Sequence, residues 1–244
     1  MNKKRISLLF VFILQFFIAR QDLSAQNRIT LSSPKDPVLS GATLTFFFTG
    51  NYFYERKPAL NLEKINLLDA SQVNRFDRSA INHYSPGAAK TSDILLGTSM
   101  ILPAILMADK NMRKDGGAIA IVYLQSIALT AAEIQLVKGL VQRARPFTYN
   151  SNAPLSEKLK ADAAASFFSG HTAMVATATS FTATVFSIYH PDSKALPYVY
   201  IGAAALPIAT GYMRYRAGMH FPTDIAAGLI IGALNGFLVA KLHD

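Results

Sequence analysis

Residues 166–189 read SFFSGHTAMVATATSFTATVFSIY, a short motif followed by a long run without Asp, Glu, Lys or Arg. Small, apolar and hydroxyl-bearing residues fill the run from Thr172 to Tyr189, which is typical of a helix packed closely against other helices. Four other runs have a similar character, so the sequence predicts a bundle of helices: Ile94–Ala108, Gly116–Ala132 with an amphipathic continuation to Val141, Ala195–Met213 and Ile225–Ala240.

The five runs are 15–19 residues long, near the lower end of the roughly 17–25 residues that a spanning helix needs. The last run carries Gly228, Gly232 and Gly236 at four-residue spacing, a pattern that lets helix backbones approach closely. No segment alternates with period two for long enough to indicate a sheet. We therefore expect an all-α, membrane-embedded helical bundle, with a soluble all-α bundle as the alternative.

Composition supports a membrane protein and excludes several kinds of site. Of the 244 residues 51% are hydrophobic and 16% charged, against about 25% charged in ordinary soluble domains. The absence of cysteine excludes disulfides and thiolate metal ligation. The formal charge of +9 is not arranged in a basic stripe with interleaved aromatics, so we expect anionic lipid or phosphate as partners rather than nucleic acid.

The N-terminus has the features of a secretory signal. Basic residues at 3–5 precede the apolar stretch ISLLFVFILQFFIA, and small residues precede a potential cleavage site after Ala25. The sequence therefore predicts a signal peptide at 1–25, with an uncleaved anchor helix as the alternative; in both cases the following chain is expected to be exported. Residues 26–91 would form an exported N-terminal segment, and residues 92–244 the core.

The charges between the runs predict sidedness. The short link 109–116, DKNMRKDG, is basic, and short basic links tend to remain in the cytoplasm. If residues 37–54 form only a peripheral or re-entrant helix, interrupted at Gly50-Asn51, the loops at 138–171 and 214–224 come together on the outer side. This predicts a bacterial inner-membrane protein whose site faces the periplasm.

Three motifs would meet there: KGLVQRARP at 138–146, SFFSGHT at 166–172 and RYRAGMHFPTD at 214–224. Cations, histidines and a helix N-terminus together suit a phosphate group. In these motifs the chain resembles the type 2 phosphatidic acid phosphatase family, whose catalytic core is shared with vanadium haloperoxidases and bacterial acid phosphatases.

The resemblance extends over roughly 130–235 and follows the family's motif order. The matching positions are Lys138, Arg145-Pro146, Ser169-Gly170-His171, Arg214, His220 and Asp224. Two positions depart from the pattern: Phe168 stands where the family usually has proline, and Met213 where it has serine. The first could alter the turn into the helix, and the second removes a polar group beside Arg214.

Residue chemistry and the resemblance imply the same roles. His220 would be the nucleophile that forms a phosphohistidine, with Asp224 holding the other N–H of the ring. His171 would act first as general acid and then as base. The phosphate-binding groups would be Lys138, Arg145, Ser169, Gly170 and Arg214. Loop or headgroup roles are expected for Arg143 and Arg216, and solvated or capping roles for His83, His190 and His243.

The sequence thus predicts a phosphatase that needs no metal or cofactor and acts on a lipid phosphomonoester or diphosphate. Three alternatives remain. A soluble periplasmic acid phosphatase could carry the same site, and a vanadate-dependent haloperoxidase could share the core. A non-catalytic membrane protein could bind phosphate headgroups, although binding alone would need only the cations.

Overall fold

The computed structural model describes residues 28–31 and 34–244, and this part of the chain is helical without strands. The signal peptide predicted at 1–25 lies outside the described residues. The α-helices are α1 (Lys35–Arg56), α2 (Leu62–Asn66), α3 (Pro86–Met100), α4 (Lys110–Lys114), α5 (Gly116–Val141), α6 (Leu155–Lys158), α7 (Gly170–Tyr189), α8 (Leu196–Arg216) and α9 (Pro222–Leu242). Short 3-10 helices occupy Ala70–Gln72, Arg78–Asn82, Leu102–Ala108, Pro146–Tyr149 and Ala161–Ala164.

The five apolar runs are helical, which confirms the all-α prediction. The run at Ile94–Ala108 is divided between the end of α3 and a 3-10 helix, and α5 extends to Val141 as its amphipathic pattern predicts. The side chain of Ser85 caps α3 by accepting from the backbone N–H of Ala88, and proline follows as its first residue. Pro86 therefore starts a helix rather than breaking one.

Helix α7 lies at the centre of the bundle, in contact with α3, α5, α8 and α9. Most of its side chains are buried, which explains why its sequence is dominated by alanine and threonine: a surrounded helix has little room for large side chains. Its threonines satisfy their hydroxyls inside the bundle, as where Thr130 and Thr177 approach to 2.9 Å. The helix within the stretch 166–189 thus forms the core of the fold.

The glycine-spaced face of α9 packs against α7. An added Cβ at Gly228 would lie 2.6 Å from the carbonyl oxygen of Ser169. One at Gly232 would overlap the carbonyl of Ala173, and one at Gly236 would overlap that of Thr177. The four-residue spacing therefore marks a close helix contact, as the sequence predicted.

Helix α1 departs from the expectation for residues 37–54. It is a continuous helix of 22 residues, without the expected interruption at Gly50-Asn51. Gly50 instead allows close packing, because an added Cβ there would lie 2.5 Å from the backbone nitrogen of Leu136 in α5. Gly139 of α5 approaches Tyr54 in the same way. The two helices run parallel, and α1 is long enough, at about 1.5 Å per residue, to cross a bilayer.

The bundle has two ends, which we call the link end and the site end. The link end holds the link 109–116 and the C-terminus; the site end holds residues 138–171 and 214–224. Residues 28–31 lie at the link end, where the backbone nitrogen of Arg28 donates to Asp115 (3.2 Å) and that of Thr30 to the carbonyl of His243 (2.9 Å). Residues just after the predicted signal thus share an end with the basic link, contrary to the topology expected from the sequence.

His243 also differs from its expected solvated role. Its ring is buried, with Nδ1 bonded to the carbonyl of Val239 (2.7 Å) and Nε2 to the carboxylate of Asp36 (3.0 Å). Gln125 donates to the same carboxylate (2.7 Å). The ring is buried because the start of α1 folds back over the end of α9.

Three segments of the described chain are long and apolar enough to cross a membrane, judged by length and composition: Pro86–Ala108, Gly116–Tyr149 and Pro222–Leu242. Several large apolar side chains on α8 and α9 also face outward, among them Tyr198, Ile201, Ile208, Ile230 and Leu234. An outward-facing apolar surface of this kind suits lipid.

Candidate active site

Backbone hydrogen bonds join the three sequence motifs at the site end. The nitrogen of Phe147 donates to the carbonyl of Gly218 (2.9 Å), and that of Ser169 donates to the carbonyl of Asp224 (3.0 Å). The nitrogen of Ser166 donates to the carbonyl of Arg143 (2.9 Å). Residues separated by up to 71 positions are thereby held in one cluster.

Gly218 is required by this arrangement. Its φ of +70° lies in the left-handed region, and an added Cβ would overlap the carbonyl of His83. The turn at Gly218 leads from the end of α8 into the segment that presents His220. Gly218 therefore allows the turn that holds the third motif against the first.

His220 is buried and its ring has a defined orientation. Nδ1 lies 2.7 Å from the carbonyl oxygen of Ser166, which can only accept, so Nδ1 carries the proton and Nε2 the lone pair. Burial lowers the pKa of His220 well below its ordinary value, and the charges of Arg145, Lys138 and Arg214 lower it further. The ring is therefore a neutral imidazole at neutral pH, with Nε2 available as a nucleophile.

Asp224 supports this ring less directly than expected. Its Oδ2 lies 3.7 Å from Nδ1 of His220, too far for the hydrogen bond that the sequence suggested. Oδ2 accepts instead from the hydroxyl of Ser166 (2.6 Å) and the backbone nitrogen of Phe221 (2.9 Å). Ser166 thus connects the carboxylate to the histidine, a role that sequence reasoning missed although the residue begins the second motif.

Arg143 links Asp224 to a second buried carboxylate. Its guanidinium donates to Oδ1 of Asp224 (2.6 Å) and to Oδ2 of Asp77 (2.7 Å). Asp77 also accepts from Thr223 and Asn74. Burial raises the pKa of Asp77, but the hydrogen bonds from Arg143, Thr223 and Asn74 bring it below its ordinary value, so the group is ionised. Arg143 is thus part of the support around Asp224, which no sequence motif indicated.

Arg145 is buried and anchored on both sides. Its Nε donates to the carbonyl of Asp162 (2.9 Å), and its NH2 lies 3.2 Å from the carboxylate of the same residue. NH1 lies 3.4 Å from the carbonyl of Met219, next to His220. These contacts fix the guanidinium in place before any ligand arrives, which is how a preorganised charge acts most effectively.

Arg214 has a buried donor that finds no acceptor. It is 5% exposed; NH1 donates to the hydroxyl of Ser92 (3.2 Å), but Nε has no hydrogen-bond partner among the described residues. A buried N–H without a partner is costly. A bound anion would satisfy it. The hydroxyl that contacts Arg214 thus belongs to Ser92 of α3. The position directly before Arg214, where the family usually has serine, is occupied by Met213.

The second motif places the remaining residues at the start of α7. Ser169 is the N-cap position and its hydroxyl lies 2.8 Å from that of Thr172. At Gly170 an added Cβ would lie 3.7 Å from Nζ of Lys138, so the ammonium lies beside the first helical residue. The ring of His171 follows, with its Nε2 2.8 Å from the carboxylate of Asp93. The eight predicted site residues therefore lie at one end of the bundle.

The other cations and histidines are placed differently. Arg216 is exposed and donates to the hydroxyl of Tyr212 (3.3 Å). His83 packs its ring edge-on against Tyr215, and His190 lies at the link end, 3.3 Å from Asp109. Phe168, in the position of the family's proline, is fully buried. In residues 28–31 and 34–244 no group of three or more His, Cys, Asp or Glu side chains is arranged as a metal site.

Comparison with known proteins identifies the family. No curated protein matches the chain significantly. Among solved structures the chain is similar to the transmembrane PAP2-type phosphatidylglycerolphosphate phosphatase from Bacillus subtilis, at 20% identity and a TM-score of 0.46, over 99% of this chain and 96% of that one. The model of the PAP2 superfamily matches residues 119–244, which contain all three motifs and make up more than half of the sequence. The chain belongs to the PAP2 superfamily.

Proposed function

We propose that this protein is a metal-independent phosphatase that removes phosphate from a lipid phosphomonoester or diphosphate through a phosphohistidine at His220. The observation that carries the proposal is the environment of that ring. A neutral, oriented imidazole is buried under the combined charge of Lys138, Arg145 and Arg214. Such a site suits a nucleophile that attacks a dianionic group and needs the charge of that group neutralised.

The unsatisfied Nε of Arg214 supports an anionic ligand in particular. A phosphate oxygen would accept from it and restore a missing hydrogen bond. The planar guanidinium of Arg214 suits paired contacts with phosphate oxygens, and Lys138 supplies a point charge. A site that only bound headgroups would need these cations but not the oriented ring of His220.

The proposed reaction has two steps. In the first, Nε2 of His220 forms a bond to phosphorus while the bond to the leaving oxygen breaks, and His171 gives its proton to that oxygen. In the second, His171 takes a proton from water, the water oxygen bonds to phosphorus, and the P–N bond breaks with its electron pair returning to His220. Phosphate is released and both rings regain their starting protonation.

A lipid substrate is favoured by the surroundings of the site. Three segments of the described part of the chain could cross a bilayer, and the apolar side chains that face outward on α8 and α9 would contact acyl chains. The last turn of α8 carries Arg214 to the site, and the first turn of α9 carries Asp224 there. A phosphate group entering from the headgroup region would therefore reach the cations while its lipid tail stayed in the membrane.

A panel of substrates would test this function. We expect the purified full-length protein to release phosphate from phosphatidic acid or a polyprenyl diphosphate faster than from a soluble sugar phosphate. Release should persist in excess EDTA, because the positive charge comes from side chains, and vanadate should inhibit it by adopting a five-coordinate geometry over His220. Loss of activity on chelation that a divalent ion restores would contradict the proposal, as would halide oxidation without phosphate release.

We also propose that the site end faces the periplasm of a bacterial inner membrane. The basic link, with Lys110, Arg113 and Lys114, would then be cytoplasmic. In this fold residues 28–31 would be cytoplasmic too, since they lie at the link end. A cleaved signal at 1–25 would instead export residues 28–31 and turn the site toward the cytoplasm, so the two sequence indications make opposite predictions.

Single cysteines would settle the orientation, because the chain has none of its own. Asn111→Cys marks the link end and Asn152→Cys the site end, and both positions are exposed. On intact spheroplasts we expect an impermeant thiol reagent to label position 152 and not position 111. The reverse pattern would place the site in the cytoplasm and support export of residues 28–31.

A further inference from the structure

Helix α3 supplies two adjacent side chains to the site, although it precedes the residues matched by the family. Ser92 accepts a hydrogen bond from Arg214, and the carboxylate of Asp93 lies 2.8 Å from Nε2 of His171. Asp93 Oδ1 also lies 3.7 Å from NH1 of Arg214. This carboxylate thus meets both the proposed general acid and one of the phosphate-binding cations.

We propose that Asp93 is a positioning residue for the general acid, forming with His171 a carboxylate–histidine pair at the mouth of the site. An ionised carboxylate only accepts, so the Nε2 of His171 is the nitrogen that donates to it. Nδ1 is then the nitrogen that exchanges a proton with the leaving group and later with water. This inference rests on the proposed function.

The charges around His171 explain why such a partner is needed. Burial, together with the charges of Arg214 and Lys138, lowers the pKa of His171 to about 4, whereas the hydrogen bond and charge of Asp93 raise it. Without this carboxylate the pKa would fall further, and the ring would hold the proton that the leaving group requires even less readily. Asp93 therefore offsets part of the effect of burial and of the phosphate-binding cations.

The proposal predicts an effect that depends on the leaving group. An alkyl or lipid alkoxide needs a proton as it departs, whereas 4-nitrophenolate needs very little. In Asp93→Asn we expect the single-turnover rate of leaving-group release to fall about 100-fold for short-chain phosphatidic acid and no more than about 3-fold for 4-nitrophenyl phosphate, as for loss of general-acid assistance. Asp93→Glu should recover most of the loss, because it restores the carboxylate.

The controls follow from the exposure of the residue. Asp93 is 62% exposed, so its replacement should leave the bundle folded, which thermal unfolding of each variant would verify. Glu157→Gln removes a carboxylate elsewhere in the 138–171 segment, where Glu157 pairs with Lys160. We expect this matched variant to keep wild-type rates on both substrates.

Three results would overturn the inference. Equal losses on the two substrates would assign Asp93 to the structure of the site, and unchanged rates would remove it from the mechanism. Faster turnover of both substrates with tighter inhibition by inorganic phosphate would mean that the carboxylate merely competes for the anion position. In each case an active wild-type enzyme would leave the proposed function intact; a wild-type protein inactive on both substrates would overturn the function as well.

Discussion

Replacing His220 with glutamine or alanine is expected to reduce phosphate release by about 10⁴-fold or more, as for loss of a covalent nucleophile. The proposed P–N bond forms at Nε2 of His220, and His171 is needed for proton transfer. Glutamine is the more informative change, because its side-chain amide can still donate toward the carbonyl of Ser166 and fill part of the buried space. Initial rates on phosphatidic acid would measure the loss.

A histidine outside the site provides the matched control. His190 lies at the link end beside Asp109, and His190→Gln should keep nearly the full rate. Thermal unfolding and retention of inorganic phosphate binding by the cations would show that the His220 variants are folded. A His220→Gln protein that turned over at more than a few per cent of the wild-type rate would exclude His220 as the nucleophile.

The second large effect is expected at Gly232, where α9 packs against α7. An added methyl group would overlap the carbonyl of Ala173, and backbone cannot move aside as a flexible side chain can. Overpacking of this kind costs about 1–3 kcal/mol and occasionally more. Because α7 carries His171 and α9 carries Asp224, separating the two helices should also reduce activity. The melting temperature and phosphate release of Gly232→Ala would both be measured.

Gly202 is the matched control on a neighbouring helix. It lies within α8, and an added Cβ there has no heavy atom within 4 Å. Alanine favours a helix by about 1 kcal/mol over glycine, so Gly202→Ala should be neutral or slightly stabilising. Equal melting temperatures for the two variants would mean that the glycine face of α9 is not a close contact.

The sequence predicted the elements that depend on local pattern. Each of the five apolar runs became helical, because composition and length alone indicate such segments. The glycine spacing on α9 predicted a close contact without naming its partner, which the structure identifies as α7. The three motifs predicted a common cluster, because their spacing within the family specifies a site before the fold is seen.

Helix α1 shows where local pattern misleads. Gly50 and Asn51 are poor helix formers and suggested an interruption. In the fold, Gly50 is the point where α1 approaches Leu136 most closely, and packing along α5 outweighs the local preference. The burial of His243 has a similar origin, since its partner Asp36 lies more than 200 residues away in sequence.

The support around the proposed catalytic residues could not be predicted for the same reason. Asp77 and Asp93 lie in segments without a recognisable motif, and each meets its partner only through tertiary packing. Ser166 connects Asp224 to His220 with both its hydroxyl and its carbonyl, and a backbone contact of this kind leaves no signal in the side-chain pattern. The recognisable motifs hold the residues that would touch phosphate, together with Asp224 and Ser166, but neither Asp77 nor Asp93.

The central claim is a covalent phosphate on His220, and trapping that species tests it most directly. His171→Ala with 4-nitrophenyl phosphate should form the intermediate but hydrolyse it slowly, because the leaving group needs little acid whereas water still needs the base. After an alkaline quench and tryptic digestion, we expect phosphate on His220 in the peptide that follows Arg216 and ends at Lys241. Phosphate on any other residue, or the same labelling when His220→Gln is added to His171→Ala, would contradict the account.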